Sequence, residues 1–187
     1  MRSTRGIATV LAVIAGLVML VAGPVMIVKA MDGRTQVRHE LTAQKIIFPA
    51  NTAAGLPVSL SKYAGQQVKT GTQAKAYAAM IEEHVLTATN GKTFSEVSSA
   101  WIAGGRTDTA LAATRQTAFM GESLRSSLMS AYQAWQVSFL VIGLGLLVTG
   151  LGVTFLAIGA ALTPIRIKVP HSLEALRHHE LVTSSKS

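Results

Sequence analysis

The chain contains no cysteine among its 187 residues. Disulfide bonds, thiolate metal sites and cysteine nucleophiles are therefore excluded. Charged residues are also scarce at 14% and aromatic residues make up only 5%, whereas hydrophobic residues reach 49%. This balance is too apolar for an ordinary soluble domain of the same length. The net charge of +8 comes without clusters that mix basic and aromatic residues, so we expect no binding to nucleic acid.

Recognisable catalytic motifs are missing as well. There is no G-x-S-x-G nucleophile elbow, no phosphate-binding loop and no dinucleotide fingerprint. The stretch RHEL at residues 38–41 begins like a zinc-protease helix, but the position four residues after His39 is Ala43 instead of a second histidine. We therefore expect neither enzymatic activity nor a cofactor.

Two long apolar runs account for most of the hydrophobic residues. Residues 6–28 and 137–164 contain no charged side chain, and each run is long enough as a helix to cross a hydrocarbon core of about 30 Å. The first run has an alternative interpretation as a secretory signal, because Arg2 and Arg5 precede it and Val28-Lys29-Ala30 resembles a cleavage site. Its apolar core is longer than those of ordinary signals, so we favour an uncleaved membrane anchor.

Basic residues in the short flanking tails indicate the orientation. Arg2 and Arg5 precede the first run, and the tail after the second carries Arg166, Lys168, Arg177 and Lys186. Short cytoplasmic flanks are enriched in such cations. We expect a plasma-membrane protein with both termini cytoplasmic, composed of a tail (1–5), a first span (6–29), an extracytoplasmic domain (30–136), a second span (137–163) and a basic tail (164–187).

Helix signals dominate the segment between the spans. Thr72 is the expected N-cap of a helix that stops at the Asn-Gly pair at 90–91. The sequence TFSE at 93–96 matches a capping box, and Asp108 begins a helix that continues into the second span. Residues 46–70 predict short strands or irregular connections. The fold class is therefore mainly α: an antiparallel hairpin of two transmembrane helices with a small helical domain between them.

Two histidines lie in the predicted exported segment. We expect His84 to be half-buried and to hydrogen-bond the loop that follows it at residues 87–93. An alternative is an exported metal-binding or enzymatic domain centred on His84 with Glu82, Glu83 and His39, because histidines and carboxylates together supply metal ligands and acid-base groups.

Three stretches resemble a family of small actinobacterial membrane proteins that have two spans and an exported loop: YAGQQVKTG (63–71), AYAAMIEEHVLTATNGKTFSE (76–96) and TRQTAFMGESLRSSLMSAYQAWQVSFLVIGLGL (114–146). Some members are labelled aromatic ring-opening dioxygenases. That chemistry needs an iron site such as two histidines and a carboxylate, which two dispersed histidines do not supply, so we do not carry the label over. The most specific matching residues are Ile81, His84, Gly91, Lys92, Thr93, Phe94 and Glu96.

Small residues recur every seven positions in both apolar runs. This spacing keeps them on one seam of a left-handed helix pair, and small residues allow membrane helices to approach closely. The second run has two such seams on opposite sides, Gly145/Gly152/Gly159 and Gly143/Gly150/Ala157; the first run has Ala8/Ala15/Ala22 with Thr9/Gly16/Gly23 beside them.

We expect the first run to pack against one glycine seam of the second, which leaves the other seam for a further helix. The function predicted from this pattern is that of a non-enzymatic accessory or assembly subunit of a larger membrane complex, or of a homo-oligomer. Its partners would be membrane lipids and other subunits or copies of itself. Arg166 and Lys168 follow the second span closely, and each is expected to gain about 1 kcal/mol from anionic lipid headgroups.

Overall fold

The computed structural model describes residues 2–163, without the side chains of residues 2–5. Helix makes up 82% of this part and it contains no strand, which confirms a mainly helical fold. The basic tail with Arg166 and Lys168 lies outside the described residues. The α-helices are α1 (Arg2–Ala43), α2 (Gly71–Ala88), α3 (Phe94–Ala103) and α4 (Thr109–Leu162).

Helices α1 and α4 contain the two apolar runs. The stretches Gly6–Ala43 and Thr109–Leu162 reach mean hydropathies of 2.7 and 2.4 in their most apolar windows, in which only 11% of the residues are buried. The core helix of a soluble protein would be mostly buried. Both helices are thus long and apolar enough to span a membrane, and their apolar side chains are largely exposed.

The connection between α1 and α2 is irregular and contains no named strand. It has two short 3₁₀ helices, Thr52–Ala54 and Val58–Tyr63, and an isolated antiparallel bridge between Ile47 and Gln67. Beside this bridge the Phe48 amide donates to the Gln66 carbonyl at 2.9 Å. The bridge therefore closes the connection into a loop and places the Phe48 ring in the core.

The start of α2 corrects one expectation. Thr70 is the N-cap instead of Thr72, and it forms a full capping box with Gln73. The Thr70 hydroxyl accepts from the Gln73 amide at 3.3 Å, while the Gln73 side chain accepts from the Thr70 amide at 3.2 Å. The position three residues after Thr72 is Lys75, which cannot accept such a bond.

The other predicted helix boundaries are confirmed. Helix α2 ends before Asn90 and Gly91, whose φ angles of 55° and 77° are left-handed. Thr93 and Glu96 form the capping box of α3. Asp108 accepts a hydrogen bond from the Leu111 amide at 3.0 Å at the start of α4.

The chain divides into two compact units, one of Met1–Met19 with Leu151–Ser187 and one of Leu20–Gly150. The second unit contains the hydrophobic core. There the Phe48 ring stacks on Tyr63 and meets the edge of Tyr77, both at 5.1 Å between centroids. Burial raises the pKa of the Tyr77 hydroxyl above its usual value. The buried cluster that contains Phe48 draws its other members from α1, the connection, α2 and α4: Leu41, Leu56, Val68, Ala74, Ala78, Met80, Ile81, Val85, Ala118 and Leu128.

Glycine allows the start of α2 to touch α4. Gly71 is buried, and a Cβ added to it would lie 2.6 Å from Cγ of the Trp135 indole. Trp135 is itself only 5% exposed, so its ring cannot swing away freely. The first turn of α2 therefore fits against α4 only because position 71 has no side chain.

We predict that Gly71→Ala lowers the free energy of unfolding by about 1–3 kcal/mol, since the added methyl overpacks the Trp135 contact. Thermal unfolding in a mild detergent, followed by circular dichroism, measures the change. Gly33→Ala is the matched control, because its added Cβ would come no closer than 4.0 Å to another group, the Ser138 hydroxyl. The control should gain roughly 0.5–1 kcal/mol from helix propensity. Equal melting temperatures for the two variants would contradict the contact.

Candidate functional site

The candidate site is the face on which α1 and α4 touch. In the unit Met1–Met19 with Leu151–Ser187, Gly16 lies against Gly152, and a Cβ added to Gly16 would be 2.9 Å from the Gly152 carbonyl oxygen. A Cβ added to Gly159 would be 2.7 Å from Cγ2 of Val13. Both α4 glycines and Gly16 are buried. From Val13 to Gly16 along α1, the contacted residue of α4 moves back from Gly159 to Gly152, as in an antiparallel pair.

In the unit Leu20–Gly150, Gly23 and Gly145 make a reciprocal contact. A Cβ added to Gly23 would lie 2.6 Å from the Gly145 carbonyl oxygen, and one added to Gly145 would lie 2.8 Å from the Gly23 carbonyl oxygen. Thr149 also crowds Gly23, and its hydroxyl donates to the Gly145 carbonyl at 2.8 Å. Here too the backbones touch directly, which any larger residue would prevent.

The small residues of the predicted seams differ in how far they are buried. Gly16 and Gly23 on α1 and the seam Gly145/Gly152/Gly159 on α4 are buried in these contacts. Ala15 and Ala22 are half-buried beside them, and Ala8 is exposed. The second α4 seam, Gly143, Gly150 and Ala157, is exposed. A Cβ added to Gly143 would meet no atom within 4 Å.

The residues that match the resembled family most specifically have structural roles in this fold. Ile81 is buried in the core, Gly91 supplies a left-handed turn, and Thr93 with Glu96 caps α3. Within the turn, the Lys92 carbonyl accepts the Thr89 hydroxyl at 2.5 Å. The Phe94 ring packs 5.8 Å from that of Phe119.

His84 differs from its expected environment. The side chain is exposed instead of half-buried, and its Nε2 donates to the Gly55 carbonyl at 2.9 Å. Its partner therefore lies in the connection before α2 and not in the loop that follows His84. Gly55 has a φ of 94° at the end of the Thr52–Ala54 turn, so the bond ties this turn to α2.

The acidic residues near His84 face other partners. Arg125 of α4 binds the Glu82 carboxylate at 3.0 Å and the Glu122 carboxylate at 3.2 Å. Glu83 is exposed, and His39 lies 3.9 Å from its neighbour Glu40. Within residues 2–163 no three His, Asp or Glu side chains come together as a metal site would require. The alternative set of His84, Glu82, Glu83 and His39 is therefore not assembled here as one ligand group.

Two arginine clusters could not be found from the sequence. Arg115 of α4 lies over Trp101 and Phe94, with its Cζ 5.0 Å and 5.4 Å from the ring centroids, and donates to the Ser98 hydroxyl at 3.0 Å. Arg34 of α1 lies over Trp135 and Phe139 of α4. Each cluster joins elements distant in the chain, and no short motif reports such a pairing.

The chain matches no protein-family model, no curated protein and no solved structure. The resemblance of residues 63–71, 76–96 and 114–146 to a two-span family therefore remains a prediction.

The capping box of α3 makes a testable electrostatic prediction. Hydrogen bonds from the Thr93 amide and hydroxyl lower the pKa of the Glu96 carboxyl below its ordinary value, and the charge of Lys92 acts in the same direction. Because the pKa of Glu96 is lower in the folded state, its hydrogen bonds stabilise the folded protein above the unfolded-state pKa. This contribution is lost as the pH falls through the folded-state pKa. Thr93→Ala removes the hydroxyl bond but keeps the amide bond, so it should raise the Glu96 pKa part of the way towards its ordinary value, as measured by carboxyl-carbon NMR titration. The control Thr72→Ala, at an exposed position in α2, should leave it unchanged; an unchanged value in Thr93→Ala would refute the contribution of the Thr93 hydroxyl.

Proposed function

We propose that this chain is a non-enzymatic integral membrane protein that acts by association with other membrane helices. In this proposal α1 and α4 cross the plasma membrane as an antiparallel hairpin and present residues 30–136 outside the cell. The descending order of α4 contacts along α1 within each unit supports the hairpin. The cations in the short tails, starting with Arg2 and Arg5, support the cytoplasmic placement of both ends.

The observation that carries the association is the distribution of small residues on α4. One seam is in close contact with α1, while Gly143 and Ala157 of the opposite seam are exposed in the apolar part of the helix. Helices associate in membranes through close packing and not through exclusion of water, and small residues allow their backbones to approach closely. The exposed seam therefore suits a second helix better than it suits lipid.

The occupant that fits this seam best is a second copy of the chain. Two copies inserted in the same orientation place identical α4 seams at equal depth, so that Gly143 and Ala157 of one copy face the same residues of the other across a two-fold axis. No change of register is needed. A helix of a larger complex is the other possible occupant, and the experiment below distinguishes them.

Gly143→Leu should weaken self-association by about tenfold or more, equivalent to ~1.4 kcal/mol, because its side chain would separate the two α4 helices. Two differently tagged copies, co-expressed and extracted in mild detergent, provide the measurement through co-purification. The matched control is Leu144→Phe, which adds volume at a neighbouring exposed position away from the seam. Gly143→Leu should remain inserted, since a Cβ at 143 meets no atom within 4 Å.

Unchanged co-purification in Gly143→Leu, with Leu144→Phe equally unaffected, would contradict the seam as the association surface. A different result would identify a partner subunit as the occupant of the seam. In that case the unmodified chain does not self-associate, and Gly143→Leu loses a different co-purifying membrane protein.

Metal analysis tests the alternative of an exported metal site. We expect less than about one-tenth equivalent of iron or zinc in the purified protein, since His84 already donates from Nε2 to Gly55 and Glu82 is paired with Arg125. Stoichiometric metal that disappears in His84→Ala would favour the alternative of an exported metal site. A Thr87→Ala variant on the same helix controls for general loss of structure.

A further inference from the structure

Arg34 of α1 lies shortly beyond the apolar run and forms no ion pair within residues 2–163. The guanidinium carbon of Arg34 lies 4.3 Å from the Trp135 ring centroid and 4.3 Å from that of Phe139. These aromatic residues are one turn apart on α4, so one planar cation covers both. Such contacts orient an arginine strongly, because both its charge and its plane are attracted to ring faces.

The hydrogen-bonding edge of Arg34 has no acceptor within residues 2–163. The ion pairs of this part of the chain involve only His39, Glu40, Glu82, Glu122 and Arg125. The positions one turn away from Arg34 on α1 are Ala30, Met31, Val37 and Arg38, and none is acidic. A guanidinium has five N–H donors, and the contact of its carbon with the two rings leaves donors available for an acceptor outside residues 2–163.

A second cation stands beside the first. Arg38 follows Arg34 by one turn, and both line a cleft of about 240 Å³ together with Met31, Thr35 and Trp135. Like charges at this spacing repel each other by a few tenths of a kcal/mol, unless an anion lies between them. The Thr35 hydroxyl already donates to the Met31 carbonyl at 3.0 Å, so the donors that the cleft offers to an anion are the two arginines. Met31 and Trp135 add apolar surface that suits the first carbons of a lipid.

The position of the cleft along α1 also favours a lipid phosphate as the ligand. Arg34 lies six residues after Val28, the end of the apolar run, which is about 9 Å along the helix axis. Helical side chains lean towards the N-terminus, so the guanidinium of Arg34 returns towards the run and reaches Phe139 just inside the second one. The headgroup layer extends roughly 5–7 Å beyond the hydrocarbon core. A cation at this level faces lipid phosphates.

We infer that the cleft of Arg34 and Arg38 binds the phosphate of an anionic phospholipid in the leaflet next to residues 30–136. Trp135 and Phe139 fix the plane of Arg34, whose edge donates two hydrogen bonds to the phosphate oxygens, and Arg38 adds the second positive charge. A headgroup without its own ammonium is favoured, because it leaves the phosphate charge uncompensated. This inference rests on the proposed membrane crossing but is independent of the association through Gly143.

Native mass spectrometry of the full chain, titrated with phosphatidylglycerol or phosphatidylcholine in detergent, tests the inference. Arg34→Gln and Arg38→Gln should each weaken phosphatidylglycerol binding about fivefold and leave phosphatidylcholine binding nearly unchanged. Arg34→Lys should restore only part of the loss, because an ammonium cannot form the paired hydrogen bonds. The control Arg106→Gln removes an equal charge at Trp101, in the loop before α4, and should bind like the unmodified chain.

Equal phosphatidylglycerol binding by the unmodified chain and by Arg38→Gln would overturn the inference, and so would an equal loss in Arg106→Gln. Arg38 is exposed, so this variant remains informative even if Arg34→Gln fails to fold. Inorganic phosphate is a separate arm: if it displaces the lipid at comparable concentration, the site is one for free phosphate and the lipid assignment is wrong. Labelling of residues 30–136 from outside the cell tests membrane crossing separately, so failure of one result is distinguishable from failure of the other.

Discussion

Direct backbone contact between α1 and α4 is the constraint on which the rest of the structure depends. In one unit Gly16 meets the Gly152 carbonyl, and in the other Gly23 and Gly145 meet each other, at distances that leave no room for a Cβ. An apolar surface gives no net attraction between helices in lipid, so close packing must supply it. Glycine lowers helix propensity by about 0.5–1 kcal/mol relative to alanine, and its repeated use at these positions is explained by the approach that it permits.

Close packing at glycine also joins α2 to α4. Gly71 brings the first turn of α2 against Trp135, and Gly121 of α4 accommodates the Val85 side chain of α2. Arg125 adds an ion pair to Glu82, although its partners are partly exposed, so that the pair contributes less than the packing. Trp135 takes part in both contacts, because its Cβ and Cγ lie against Gly71 while its ring lies under Arg34. A change at this residue should therefore affect both the domain packing and the cationic cleft.

Local sequence signals predicted the helix boundaries well, because capping depends on residues three positions apart. Thr93 with Glu96, Asp108 and the Asn90-Gly91 stop were all readable in this way. The N-cap of α2 is Thr70 and not Thr72, and the T-x-x-Q signal of its capping box is present in the sequence. Tertiary pairings could not be predicted from local signals: the bond from His84 to Gly55 and the contact of Arg34 with the Trp135 ring join residues far apart in the chain. The sequence showed two small-residue seams on α4 but could not say which one contacts α1.

Cysteine labelling measures the central claim, a chain that crosses the membrane twice, most directly. The chain has no cysteine, so a single substitution gives one reactive position without a background. Ser99→Cys, at an exposed position in α3, should react with a membrane-impermeant maleimide in intact cells. Ser184→Cys in the basic tail should react only after the membrane is permeabilised. Protection of position 99 in intact cells, or labelling of position 184 before permeabilisation, would contradict the two-span topology with an exported domain.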